Sequence, residues 1–189
     1  MKQRYTNYLA LFCLSLALGA CSKDTTTPEI DFGGYTGRDA RGQLTSPFDP
    51  TDWITDATWN SAEQALFASE DLLYDAPMVP ASVWKITLHP NPVVLGSQSQ
   101  FTMSLDETNP AIPNALSGLR FLYKVVDARY NVLEWGIMYG VDTSFANTFD
   151  YPASKYSANT LYRIYYVVCD SHNKRVFYKG HGDIKVIPK

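Results

Sequence analysis

From Ser82 onward, apolar and polar residues alternate with a period of two. WKITLH sets Trp84, Ile86 and Leu88 against Lys85, Thr87 and His89, and QFTMSL sets Phe101, Met103 and Leu105 against Thr102 and Ser104. LRFLYKV places Leu119, Phe121, Tyr123 and Val125 opposite Arg120 and Lys124, while VLEWGIM places Leu133, Trp135 and Ile137 opposite Glu134. LYRIYYVV places Tyr162, Ile164, Tyr166 and Val168 opposite Arg163. The last run, RVFYKGHGDIKVI, carries a Gly-His-Gly interruption that predicts a bulge. Successive side chains of a strand point to opposite faces, so charge confined to one face marks a strand with one buried side. SFANTF, 144–149, is a weaker seventh run, and DARYN (127–131) and DSHNK (170–174) have the composition of hairpin turns.

About seven such strands with no helical pattern between them predict a mainly β fold: a single antiparallel immunoglobulin-like β-sandwich over residues 82–189. A small barrel is the alternative, and βαβ units are excluded. Tyr162 opens the penultimate strand, where it is either a tyrosine corner or an ordinary core residue.

Upstream the pattern changes. Asn60 followed by Glu63 has capping-box spacing, which predicts a short helix near 61–68 with Trp53, Trp59, Leu66 and Phe67 available for packing. Residues 51–81 are therefore expected as a short helical and irregular segment lying on the sandwich. Residues 21–50, rich in Thr, Gly, Asp and Pro without apolar period, are expected as a flexible tether. GGYTG lacks the strand, helix and GK[ST] of a phosphate loop. Asp49, Asp52 and Asp56 lack the spacing of a calcium loop and read as caps and turn residues.

The first 20 residues carry Lys2 and Arg4, an apolar run from Tyr8 to Leu18, and the small pair Gly19-Ala20. That is the layout of a secretory signal, and the run is roughly half the ~20 residues a bilayer span requires. Leu18-Gly19-Ala20-Cys21 further resembles the bacterial lipobox, which implies cleavage before Cys21 and acylation of that residue. Several acyl chains together would hold the protein at a membrane almost permanently. Cleavage removes two of 16 basic residues and none of 19 acidic ones, moving the formal charge from −3 to −5. A chain this acidic lacks the dense basic patch of a nucleic-acid binder. With Cys13 in the leader and Cys21 acylated, Cys169 has no partner for a disulfide.

Two further resemblances exist. Ser22-Lys23-Asp24 after the lipobox is similar to the start of outer-membrane lipoproteins of the Bacteroidota, where such residues direct surface display; here a single acidic residue follows Lys23 before the threonines. DPTDWITDATWNSAEQALF also resembles uncharacterised lipoproteins of that phylum. ITLHPNPVVLGSQSQFTMSL with LRFLYKVVDARYNVL resembles the opening of type IX secretion sorting domains. That likeness implies a β-sandwich; the ending FYKGHGDIKVIPK lacks their short closing pattern.

Reaction chemistry is sparse. His181 and Asp183 share a strand face and Asp170 and His172 repeat the pairing, but these four are too scattered for a zinc site, and no metal or cofactor is expected. No nucleophile elbow, HExxH or CxxC occurs, and no catalytic residue is assigned. The aromatic residues outside the inward positions are Tyr130, Tyr139, Phe145, Phe149, Tyr151, Tyr156 and Tyr165. Of these, Tyr139, Phe145, Phe149, Tyr151 and Tyr156 are the candidates for ligand binding, with packing of the 139–160 stretch favoured over recognition. The expectation is a lipid-anchored outer-membrane protein, surface somewhat favoured over periplasm, acting as a non-catalytic binding or accessory module for another envelope or secreted protein. A glycan binder and a hydrolase with an unrecognised site are the alternatives.

Overall fold

The computed structural model describes residues 28–74, 84–105, 118–140 and 144–189. Cys21, the leader and residues 75–83 lie outside them. All seven runs form strands: β2 (Trp84–His89), β4 (Gln98–Leu105), β5 (Leu119–Val126), β6 (Val132–Gly140), β7 (Ser144–Asp150), β8 (Leu161–Asp170) and β9 (Val176–Ile187). Two short pieces, β1 (Ile54–Thr55) and β3 (Val93–Val94), add to β9, the first antiparallel and the second parallel. One sheet has the order β1-β9-β8-β5-β6 and the other β2-β4-β7. The protein is a β-sandwich of two antiparallel sheets, with the Greek-key strand order of the immunoglobulin-like class.

The space between the sheets is filled by the predicted inward residues. Phe101, Phe121, Phe149 and Tyr166 are fully buried there, with Phe101 and Phe121 ring centroids 5.2 Å apart. Tyr162 is a tyrosine corner: its hydroxyl accepts the Ser157 backbone N–H at 2.7 Å, fixing the loop that enters β8.

Three expectations change. The bulge predicted at Gly180-His181-Gly182 is not there; β9 keeps register with β8 from Tyr178 to Lys185, and the irregularity falls between Val168 and Cys169. The glycines instead admit a neighbour. A Cβ on Gly182 would stand 2.5 Å from the Trp53 ring, and one on Gly180 would collide with the Ile54 carbonyl. The phase of β6 is also altered: the register shifts between Val125 and Val126, so Leu133 is an extra residue. Glu134 then pairs with the inward Val125, while Trp135 and Ile137 pair with the outward Lys124 and Leu122.

The third change concerns the expected tether. From residue 28 on it is a strap fixed across the outer face of the larger sheet. Ile30 N donates to Ala128 O at 2.7 Å, and Arg38 N donates to Asn91 O at 2.7 Å. The strap then makes a hairpin, closed by Gly37 N to Pro47 O and Thr45 N to Gly37 O. No apolar period betrayed this segment because isolated anchors, not a repeating face, hold it. Beyond it, α1 (Ser61–Leu66) begins with the predicted capping box, Asn60 Oδ1 accepting from Ala62 and Glu63 N–H and Glu63 reaching back to Asn60 N. The strap, Trp59, Leu66 and Phe67 bury Leu122, Val126, Tyr165, Val167 and Cys169 in a second apolar cluster. Across β5, β8 and β9 the larger sheet is therefore covered on both sides, while Val132, Trp135 and Tyr139 of β6 stay exposed.

Candidate functional site

The densest ionisable cluster lies where the strap and β1 meet β9. Here the chain turns through Asp49 and Asp52 and inserts Trp53, at φ 64°, into the inter-sheet core, stacked 6.4 Å from Tyr166. Asp52 accepts from Thr36 N at 2.7 Å and from Asp183 N at 2.8 Å, joining the strap to β9. Asp183 is fully buried and takes a two-pronged bond from Arg163, Nε to Oδ1 at 2.6 Å and Nη2 to Oδ2 at 2.7 Å. Asn91, also fully buried, donates to Thr36 O and Asp183 O, each at 2.9 Å, and accepts from Lys185 N. Asp49 accepts from the Thr51 N–H and hydroxyl at 2.9 and 2.7 Å.

Burial raises the pKa of Asp52 to about 7, with the negative Asp183 adding to the effect. Burial also raises Asp183, but the Arg163 fork opposes it and favours its charged form. One step along β9, the Asp56 carboxylate accepts from His181 Nδ1 at 2.8 Å and from Trp59 Nε1 at 2.8 Å.

Oxygens of Asp49, Asp52 and Asp183 all lie within 4.8 Å of one another, the spacing of cation ligands. Arg163 already brings a positive charge to this group, and backbone N–H groups hold both oxygens of Asp52. The arrangement fits a structural joint. Asp170 and His172 are not part of it: they lie in the β8–β9 turn, where Asp170 caps His172 N and Asn173 N.

Among the described residues, two surface hollows are lined by polar side chains. One of about 400 Å³ is lined by Asp127, Arg129, Asn131, Lys155 and Thr160, among others. Burial pushes the Asp127 carboxyl up, but bonds from Asn131 and Arg129 outweigh this and hold it below its usual range. Such a carboxylate stays ionised and already has its proton donors. The other, about 370 Å³, is lined by His89, Gln98, Gln100 and Thr148 beside Ala40, Pro90 and Ser99.

The candidate aromatic residues divide sharply. Phe145, Phe149, Tyr151 and Tyr156 are buried, which removes them as ligand platforms. Tyr151 and Tyr156 pack edge-on with centroids 5.0 Å apart; the Tyr151 hydroxyl lies 2.6 Å from Ser99 Oγ, and Tyr156 donates to Glu134. Tyr165 is buried too, stacked under Tyr130. Tyr139 alone of the five is exposed, at 69%. Burial pushes the Cys169 thiol up, which keeps it protonated.

Residues that sequence reasoning missed are Trp135, taken for an inward residue and 65% exposed, and Leu44 and Phe48, placed in a tether. The joint itself was also missed. In the sequence Asp49, Asp52 and Asp183 read as turn residues or scattered candidates, and no pattern joins Arg163, the one basic residue of β8, to them. Among the described residues no helix is long and apolar enough to cross a membrane.

No family model matches the chain, and no curated protein matches it. Among solved structures, a domain of the outer membrane lipoprotein Omp28 from Porphyromonas gingivalis is 20% identical, with TM-score 0.37, over 62% of this chain and 98% of that one. An FMN-binding beta-glucuronidase from Facaelibacterium prausnitzii is 11% identical, with TM-score 0.35, over 55% of this chain and 15% of the enzyme. A glycosyl hydrolase family 2 member from Bacteroides cellulosilyticus is 11% identical, with TM-score 0.32, over 54% and 14%. The chain thus spans about a seventh of the length of these two enzymes.

Proposed function

We propose that the chain is a lipid-anchored protein of the cell envelope, held at the outer membrane through Cys21, whose sandwich is a non-catalytic binding or accessory module for another envelope or secreted protein. The anchor is supported by Leu18-Gly19-Ala20-Cys21 behind a basic start and a short apolar run.

The observation that carries the binding role is the strap hairpin. Leu44 and Phe48 are 58% and 66% exposed, yet their backbone is tied down by the Gly37–Pro47, Thr45–Gly37 and Arg38–Asn91 bonds. A fixed hairpin offers apolar side chains without the ordering cost a mobile loop would incur on binding. Arg163, Asp183 and Asp52 are, by contrast, engaged with one another in the buried joint.

Cross-linking in native envelopes, followed by recovery of the protein, tests the reading. The double variant Leu44→Ser with Phe48→Ser should lower recovery of a specific partner about tenfold. Undiminished recovery overturns the assignment of this surface. On a glycan array, binding that vanishes with Tyr139→Ala would move the reading to a glycan binder. The anchor has its own test: Cys21→Ala should release a soluble form, and unchanged membrane retention would sink it.

A further inference from the structure

β6 is an edge of the larger sheet: it pairs with β5 and, among the described residues, with no strand on its other side. The extra residue Leu133 rotates the remainder of the strand, so Val132, Trp135, Ile137 and Tyr139 share the outer face. Among the described side chains, Trp135 and Tyr139 are the two most exposed aromatic residues of the sheets, four positions or about 13 Å apart along the strand. The one charged side chain of β6, Glu134, pairs with inward Val125, so β6 projects no charge onto this face. The flanking charges from the neighbouring strand and turn are three cations, Arg120, Lys124 and Arg129, and one anion, Asp127, whose carboxylate is held by Arg129 N and Asn131. Lys124 and Arg120 stand opposite Trp135 and Tyr139, and Arg129 in the β5–β6 turn has a 70% exposed side chain. Arg120 is paired with Glu70, and Arg129 meets Glu29 in an exposed pair of small worth.

The chain reaches the body at this same edge. Ile30 N bonds Ala128 O in the β5–β6 turn, and Glu29 meets Arg129 at 3.3 Å. Pro28 follows Cys21 by seven positions, and seven residues span at most about 25 Å even when fully extended. An acyl group on Cys21 would thus hold Pro28 within about 25 Å of the headgroups, and the β5–β6 turn, which Ile30 meets two residues further on, within about 32 Å. Trp and Tyr, each with an apolar ring and a polar tip, are the side chains that settle at a membrane–water boundary, and flanking cations suit anionic headgroups.

We infer that the β6 edge is the membrane-facing side of the protein, with Val132, Trp135 and Tyr139 resting in the headgroup layer of the bilayer that carries the anchor. This rests on the lipid anchor proposed above and adds an orientation to it. With β6 against the bilayer, β1 and the strap hairpin beside it lie four strand spacings away, about 19 Å, so Leu44 and Phe48 face away from lipid.

The test uses the purified full chain in phosphatidylethanolamine–phosphatidylglycerol vesicles with brominated acyl chains, read by tryptophan fluorescence. Trp53 and Trp59 are buried, and Trp84→Phe is made in every protein compared, which leaves Trp135 as the accessible reporter. Bromolipid should quench the Trp84→Phe protein, and adding Trp135→Phe should reduce the quenched amplitude about threefold. Equal quenching of both proteins, or none, overturns the inference. Flotation of native protein and Cys21→Ala reads the anchor separately. If native protein does not float, the anchor reading has failed; coupling the Cys21 thiol to a maleimide phospholipid then lets quenching still decide the face. A Trp135-dependent doubling of mass in light scattering would assign the edge to a second copy and also overturn it.

Discussion

Across β5, β8 and β9 the two faces of the larger sheet are both buried, but by different means. On the inner face, ring packs on ring: Phe101 touches Trp53, Phe121, Phe149 and Tyr166 at centroid distances of 5.2–6.3 Å. On the outer face a strap with few apolar residues is pinned by directed polar contacts to Ala128, Asn91 and Asp183, several of them buried. Apolar packing tolerates small shifts and needs only the right pattern. A buried ion pair works only with every partner present, because a lone charge left behind has no water to solvate it.

That contrast is open to attack. Phe101→Ala should cost the most, about 4 kcal/mol of unfolding free energy in a urea titration, since it opens a cavity at the centre of the inner face. Arg163→Ala should come next at about 3 kcal/mol, because it strands Asp183 at zero exposure. Replacing both partners, Arg163→Met with Asp183→Leu, should recover much of that loss. If the double variant is as unstable as the single one, the outer face is held by shape rather than charge.

The smallest of the three effects is a pH dependence. The folded pKa of Asp52, raised by burial to about 7 from 3.8, means that the native state binds the proton more tightly than the unfolded chain. Its contribution is therefore fully present below the unfolded value and is lost as pH rises through about 7. Between pH 5 and pH 8 the native protein should lose about 2–3 kcal/mol from this group. Asp52→Asn should flatten that slope, measured as the urea midpoint at each pH. An unchanged slope would remove Asp52 as its source.

The same contrast explains which parts could be read in advance. Seven strands, two hairpin turns and the α1 cap were legible because each comes from period or local spacing, whereas the position of Tyr162 suits a tyrosine corner and a core residue alike. The strap was not, since Ile30, Thr36 and Asp52 carry no repeating pattern and find their partners only in three dimensions. Trp135 was misplaced by one inserted residue, Leu133, which reverses every side chain after it. Gly180 and Gly182 advertised an irregularity, but their purpose, room for Ile54 and Trp53, lay in a distant segment.

The bond from Asp183 N to Asp52 joins residues 131 positions apart, and Ile54 pairs with His181 on the same strand. A chain made from its N-terminus produces the strap first and the strand that receives it last. The strap can meet Asn91 and Ala128 earlier, but Asp52 and Ile54 must wait for β9, and Trp53 with them. Since Trp53 belongs to the inner core, the sandwich cannot complete its interior until that late docking occurs. Assembly therefore closes like a clasp, the earliest segment locking the final strand, and a chain truncated within β9 should be left with neither its cover nor a finished core.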